Sequence, residues 1–360
     1  MKIFLHIGNY KTGSTAIQSF LFQNRERLRE LGYYVPETGR IGDAHHAWAG
    51  TFSGRPGSPA DPDTLYGDIR AELAVCGCDK AIVSTETLFN GMLPKEVVRR
   101  LPGHEIVVVA YLRRQDEFAS AFYMQLVKHP NFMEANPPDL SRFLKKQGAI
   151  DYLRILRQWA EVVGQQATIV YPYEKSQLPN GLMADFLNRI GIAPDAFPAG
   201  TEAPSVNVTI ETELIEYLRI ANGLGPSQDE HARLLHALTE ISRRWRAEGA
   251  FHRRNVFSPA QRRELLSVFE DDNREIARQF VGRPEGVLFV DPLPADDPTW
   301  TPMALSPEIH ARITAALWLG PRQNPAQAPA IGAPARQRPL HRRIGRRLRQ
   351  SLMSLSRTRR

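Results

Sequence analysis

Residues 6–18 read HIGNYKTGSTAIQ, and the reading of this stretch turns on its lysine. A Walker A phosphate loop is G-x-x-x-x-G-K-[ST], with the lysine directly after the second glycine. Gly8 and Gly13 keep that glycine spacing and Ser14-Thr15 follow, but the lysine stands inside the loop, at position 11. Such a loop suits a phosphate-bearing ligand that is not handled in the usual ATP geometry.

The flanking residues support a strand–loop–helix unit. Residues 2–8 are a short apolar run with turn residues after it, which reads as a buried strand. From Ser14 the period becomes helical, with Ile17, Phe20, Leu21, Leu28 and Leu31 on one side, and Gly32 ends the pattern. A helix opening from a glycine loop presents unpaired backbone N–H groups at the positive end of its dipole, and an anion needs little more. Gly13 lets the backbone approach closely, Ser14 and Thr15 add hydroxyls, and Lys11 reaches the anion from the loop itself. On a ligand ending in phosphate–O–sulfate, that ammonium lies near the bridging oxygen, where leaving-group charge develops.

Further along, strands are expected at 33–35, 80–85, 105–112 and 167–171, with helices at 63–75, 94–101, 114–128, 150–163 and 182–190. Strands that are β-branched and almost continuously apolar, alternating with helices, imply a parallel sheet covered on both faces. The fold class is therefore α/β, a P-loop-like three-layer arrangement. An α/β core spans about 1–200, and a helical part of about 205–285 contains patterns at 211–221, 228–246 and 259–279. LFVDP at 288–292 reads as a return to the body. Residues 37–63, rich in Gly, Pro, His and Asp, read as a long functional loop with one helical turn.

Composition sets the outer limits. The chain has 360 residues, 42% hydrophobic and 24% charged, as in a soluble globular protein. The net charge of +7 is unevenly placed. Residues 321–360 hold eleven arginines and no Asp, Glu or Lys, while 35 basic and 39 acidic side chains in residues 1–320 give that body a net charge of −4. No general nucleic-acid footprint remains once the tail is set aside. Cys76 and Cys78 are too close to close a useful loop and lack the Cys/His company of a zinc site, so reduced thiols and no metal are expected. The first residues form no signal-peptide core and no run approaches a membrane span, so a cytoplasmic location is expected. After a Pro/Ala-rich linker at 321–340, residues 341–360 with Leu340, Ile344, Leu348, Leu352 and Leu355 at spacings of three and four form a basic amphipathic tail. It is read either as a peripheral anchor on an anionic membrane face or as a solvated extension.

KTGSTAIQ after a strand resembles the 5′-phosphosulfate loop of sulfotransferases that use 3′-phosphoadenosine 5′-phosphosulfate (PAPS), in particular bacterial members of the group that includes the Golgi glycan sulfotransferases. IVSTETLF (82–89), VVVAYLRRQDEFASAFYMQLVK (107–128), DYLRILRQWAEVVG (151–164) and DFLNRIGI (185–192) carry the likeness over roughly residues 1–290. The resemblance implies that Lys11, Thr12, Gly13, Ser14, Thr15 and Ala16 hold the 5′-phosphosulfate of PAPS as co-substrate. It also implies that Arg113, at a strand end, grips the 3′-phosphate with a serine two helical turns on. Ser120 is the candidate, seven residues after Arg113 where the usual separation is eight, and Ala121 occupies that position.

In-line sulfuryl transfer to an acceptor hydroxyl, or alternatively an amine, needs a base and no metal. His45 and His46 in the long loop offer an imidazole suited to proton abstraction near neutral pH, and Glu86 offers a carboxylate just beyond a strand end. Ligand crevices in open α/β folds lie on that carboxyl edge. The acceptor implied by the resemblance is a glycan or glycolipid. Two other readings are an ATP-dependent P-loop kinase and a non-enzymatic scaffold with a membrane-binding tail. The kinase requires a lysine where Ser14 stands and an Asp-ended strand for magnesium, whereas this strand ends Ser84-Thr85-Glu86.

Overall fold

Buried parallel strands need apolar side chains on both faces, and the five runs that supply them form one sheet. In the computed structural model, which describes residues 1–50, 52, 61–89, 94–145, 150–198, 210–247 and 255–319, the strands are β1 (Lys2–His6), β2 (Tyr33–Tyr34), β3 (Lys80–Ser84), β4 (Glu105–Leu112) and β5 (Thr168–Pro172). Their order is β2-β3-β1-β4-β5, and every pairing is parallel. β1 is therefore central, with Leu5 beside Val83 on one flank and Val108 on the other.

The helices are α1 (Ser14–Gln23), α2 (Arg25–Glu30), α3 (Ala47–Gly50), α4 (Pro62–Val75), α5 (Pro94–Arg99), α6 (Gln115–Lys128), α7 (Leu140–Lys145), α8 (Tyr152–Val163) and α9 (Gly181–Arg189). A helical part follows, with α10 (Thr212–Asn222), α11 (Gln228–Ala247), α12 (Pro259–Val268), α13 (Glu270–Ile276) and finally α14 (Pro307–Leu319). Residues Met1–Leu317 form one compact unit. The linker at 321–340 and the amphipathic tail at 341–360 lie outside the described residues. Among the described residues, no helix is long and apolar enough to cross a membrane.

The side-chain alternation of β1 builds two cores. Ile3, Leu5 and Ile7 face a large cluster with Trp48, Tyr66, Phe118 and Trp159, which also takes in the helical part through Leu214, Leu238 and Leu265. Phe4 faces a second cluster with Ile17, Phe20, Leu21 and Phe186 beneath α1 and α9. Truncating a fully buried Trp48 or Trp159 to alanine would cost about 3–5 kcal/mol.

Two expected helices are divided in the structure. The 14–31 pattern breaks at Asn24, where φ widens to −106° and the side-chain Nδ2 joins the backbone N–H in donating to the Phe20 carbonyl. The 259–279 pattern breaks at Phe269, leaving α12 and α13, and closes in a π-helical turn, Ala277–Val281. The 288–292 stretch does return to the body: Leu288 is buried, and Arg114 Nη1 donates to the carbonyls of Asp291 and Pro292.

Candidate functional site

The loop leaves β1 at the carboxyl edge of the sheet. Ile7 and Asn9 still donate their amides to Val109 and Tyr111 of β4, so residues 7–9 extend the strand before the chain turns. Thr12 Oγ1 then donates to the Asn9 carbonyl at 2.6 Å and closes the turn. Lys11 and Gly13 adopt positive φ, 66° and 79°. For Gly13 the positive φ is what favours glycine; a Cβ there would lie 2.4 Å from Leu182 Cδ2 and push that side chain aside. α1 starts at Ser14 with no side-chain cap and no acidic residue in its first turn. Ala16 and Ile17 donate their amides to the Gly13 carbonyl, which leaves the Ser14 and Thr15 amides as the helix-start donors an anion could use.

Three cations gather at this loop. Lys11 Nζ donates to Gln125 Oε1 of α6 at 2.7 Å. Burial pushes its pKa down to about 8, and the positive charges of Lys128 and Arg113 push in the same direction while the Glu86 carboxylate opposes them. Arg113, one residue past β4, donates Nη1 to the Lys11 carbonyl at 3.1 Å and Nη2 to Glu117 at 3.4 Å. Tyr152 steadies the corner by donating its hydroxyl to the Arg113 carbonyl and accepting from Asn9 Nδ2. Like charges held together out of water are costly unless an anion compensates them. The arrangement suits a polyanion.

Glu86 opens the turn after β3 and receives a 2.6 Å hydrogen bond from Gln18 Nε2, one turn into α1. A carboxylate is thus fixed on the loop side of the sheet edge, within the electrostatic reach of Lys11.

The histidine pair divides into unlike members. His45 Nδ1 accepts the Ser84 amide at 3.2 Å and its Nε2 donates to the Pro36 carbonyl at 2.9 Å. Both nitrogens are committed, the ring is buried, and its pKa is pushed down to about 4 by that burial. The expectation of a base at His45 is corrected: protonation of Nδ1 would break the Ser84 bond, so the residue ties the long loop to β3. His46 is half-buried, with Nδ1 3.1 Å from Thr85 Oγ1, beside Glu86 in the chain.

Ser120 is also corrected. Its buried Oγ accepts the Val256 amide at 3.3 Å, so its side chain faces the segment before α12 rather than Arg113. A shift of one residue along a helix turns a side chain by about 100°. The seven-residue spacing carried that signal.

Sequence reading missed four residues of this region. Gln125 and Lys128 lie on α6 toward Lys11, about three and four turns beyond Arg113, and only a helical projection of 113–128 could have shown them. His6, at the end of β1, is fully buried, with Nδ1 2.7 Å from Ser84 Oγ and Nε2 without a hydrogen-bond partner. That Nε2 lies 2.6 Å from where a Cβ on Gly8 would be, which requires glycine at position 8. Arg262, far along the chain on α12, reaches Asp116 and Glu117.

No protein-family profile matches the chain. It is 28% identical over 178 residues to an uncharacterized protein of Archaeoglobus fulgidus, an alignment spanning 49% of this chain and 46% of that protein. The chain thus matches about half the length of that relative. A crystal structure of a sulfotransferase from Alicyclobacillus acidocaldarius is similar over 67% of this chain and 96% of its own, at 18% identity and a TM-score of 0.38.

Proposed function

We propose that the chain is a PAPS-dependent sulfotransferase. The observation that carries this reading is the cationic loop: Lys11, Arg113 and Lys128 lie close together beside a helix start without a side-chain cap, with Lys11 pushed down to about 8 first by burial and then by its two cationic neighbours. A nucleotide with a phosphosulfate at one end and a phosphate at the other supplies negative charge for such a cluster. An ATP kinase would have its lysine at Ser14, which is buried at the start of α1.

In the proposed reaction an acceptor oxygen attacks sulfur in line, the bond from sulfur to the bridging oxygen breaks, and adenosine 3′,5′-bisphosphate leaves. Lys11 neutralises the charge that develops on the departing phosphate. Glu86 takes the acceptor proton, because it is fixed by Gln18 on the same loop edge and is the carboxylate that Lys11 feels. His46 is the neighbouring alternative for that proton. The main-chain amides and hydroxyls of residues 12–16 hold the phosphosulfate, and Arg113 the 3′-phosphate. The acceptor is a glycan or glycolipid hydroxyl, on the resemblance of the motifs. The basic tail then serves to hold the enzyme at an anionic membrane surface, testable by vesicle flotation of the full chain against one ending at residue 320.

The decisive experiment is calorimetric titration without magnesium, with adenosine 3′,5′-bisphosphate and then ATP, on the wild type and Lys11→Ala. The expected result is micromolar binding of the bisphosphate, weak binding of ATP, and loss of the former in the variant. Tighter binding of ATP, or no binding of the bisphosphate, would overturn the proposal.

A further inference from the structure

Ser120 Oγ is engaged by the Val256 amide, and Ala121 stands at the usual serine position. A phosphomonoester held by one guanidinium alone would be loosely held, so a second group is needed. Glu117 identifies it. One of its carboxylate oxygens, Oε2, faces Arg113 Nη2 at 3.4 Å, and the other, Oε1, accepts from Arg262 Nη2 at 2.6 Å. A single oxyanion therefore bridges two guanidinium groups, one at the end of β4 and one on α12.

We infer that Arg113 and Arg262 together form the seat for the 3′-phosphate, and that Glu117 occupies this seat until the nucleotide displaces it. The inference rests on the PAPS reading above. Its charge logic is local. Asp116 is fully buried and already accepts two bonds from Arg114, at 2.8 and 3.1 Å, as well as one from Arg262 Nε at 2.9 Å. Arg262 is thus a further positive charge on a carboxylate that has its own arginine, and its Nη2, 2.7 Å from Asp116 Oδ2 and 2.6 Å from Glu117 Oε1, serves a second anion beside Asp116. Glu117 is 37% exposed, whereas the Arg113 and Arg262 side chains are 18% and 16% exposed. The carboxylate can therefore rotate into solvent while both cations stay in place. A phosphate dianion offers more oxygens and more charge to two planar donor forks than a carboxylate does. Arg113 is also pinned to the Lys11 carbonyl, which holds this seat in register with the loop.

The seat gives the helical part a role in nucleotide binding. α12 carries Arg262 as its fourth residue, and its start is fixed by a capping box between Ser258 and Gln261.

The test compares adenosine 3′,5′-bisphosphate with adenosine 5′-monophosphate, which lacks the 3′-phosphate, on the full chain by calorimetry. Wild type is expected to prefer the bisphosphate strongly. Arg262→Gln should cut that preference about tenfold or more, with monophosphate affinity unchanged, as expected for loss of a charge-assisted pair. Glu117→Gln should raise the preference several-fold, about the worth of one partly exposed ion pair removed as competitor. The second variant keeps the test decisive if loss of the Asp116 contact unfolds Arg262→Gln. A wild type that binds both ligands equally, or neither, would overturn the PAPS reading and this seat together. A wild type with strong preference that Glu117→Gln leaves unchanged or lowers, or that Arg262→Gln leaves unchanged, would overturn the seat alone.

Discussion

Lys11 makes nucleotide affinity depend on pH in a range where phosphates do not titrate. In the free protein its pKa lies at about 8, lowered by burial and by the charges of Lys128 and Arg113 against the opposing Glu86. A dianion bound beside the ammonium favours its charged form and raises that value well above 8. Binding then requires uptake of a proton once the pH passes 8, because the free lysine has lost its proton and the bound one retains it. At pH 7 about nine-tenths of free Lys11 is charged, and at pH 9.5 about 3%, so affinity should fall about thirtyfold, or about 2 kcal/mol. Phosphomonoesters, with a second pKa near 6, are already dianions throughout most of this range. Calorimetry with adenosine 3′,5′-bisphosphate between pH 7 and 9.5, in buffers of different ionisation enthalpy, reads both the affinity and the proton uptake. Lys11→Arg should bind with a flat profile, since a guanidinium stays charged. A flat profile in the wild type, or an equal decline in the arginine variant, would refute the assignment of the titrating group.

Three further outcomes follow from the geometry. Glu86→Gln should retain bisphosphate affinity but lose about 10²–10⁴ in transfer of labelled sulfate from PAPS to a mixed glycan pool; the same loss in His46→Gln with a near-normal Glu86→Gln would move the base to His46. Gly13→Ala forces a Cβ to 2.4 Å from Leu182 at φ 79°, so bisphosphate binding should vanish, and unaltered affinity would show that the loop opens more freely than described. His6 and His45 are buried and neutral, with pKa values lowered to about 3 and about 4. The unfolded chain binds protons at these positions below about 6.5, so stability should fall as pH drops from 6.5 toward 4, by up to about 1.4 kcal/mol per pH unit for each ring. Urea melts of the wild type and His45→Gln across that range should differ in slope, and parallel slopes would reject the account.

The sheet was legible because a parallel strand covered on both faces must be apolar on both. EIVVVAYL carries that requirement without interruption and became β4 over the same eight residues. The loop was legible because its glycines and lysine lie within a few positions of one another. What failed to show was orientation. His45 and His46 are chemically identical neighbours, and only the Pro36 carbonyl and the Ser84 amide separate a structural ring from a half-buried one. Ser120 has the right chemistry on the wrong face of α6, turned toward Val256. Arg262 stands 145 residues from Glu117 in the chain, and no local pattern links them. The break at Asn24 is a change of backbone dihedral at one residue, which periodicity does not encode.

The RRQDE stretch also bears on how such a chain can be divided. Arg113 bonds to the loop, Arg114 to the 291–292 carbonyls, Gln115 to Asn273 through a reciprocal amide pair, and Asp116 and Glu117 to Arg262. Four consecutive residues, 114–117, thus fasten the two halves of the sequence together, while Arg113 ties the same stretch to the loop. A fragment ending near residue 200 would keep every strand and every glycine of the loop, yet leave Gln115 without its amide partner and Asp116 without one of its two arginines. The helices beyond 210 are accordingly poor candidates for exchange between homologues as a cassette.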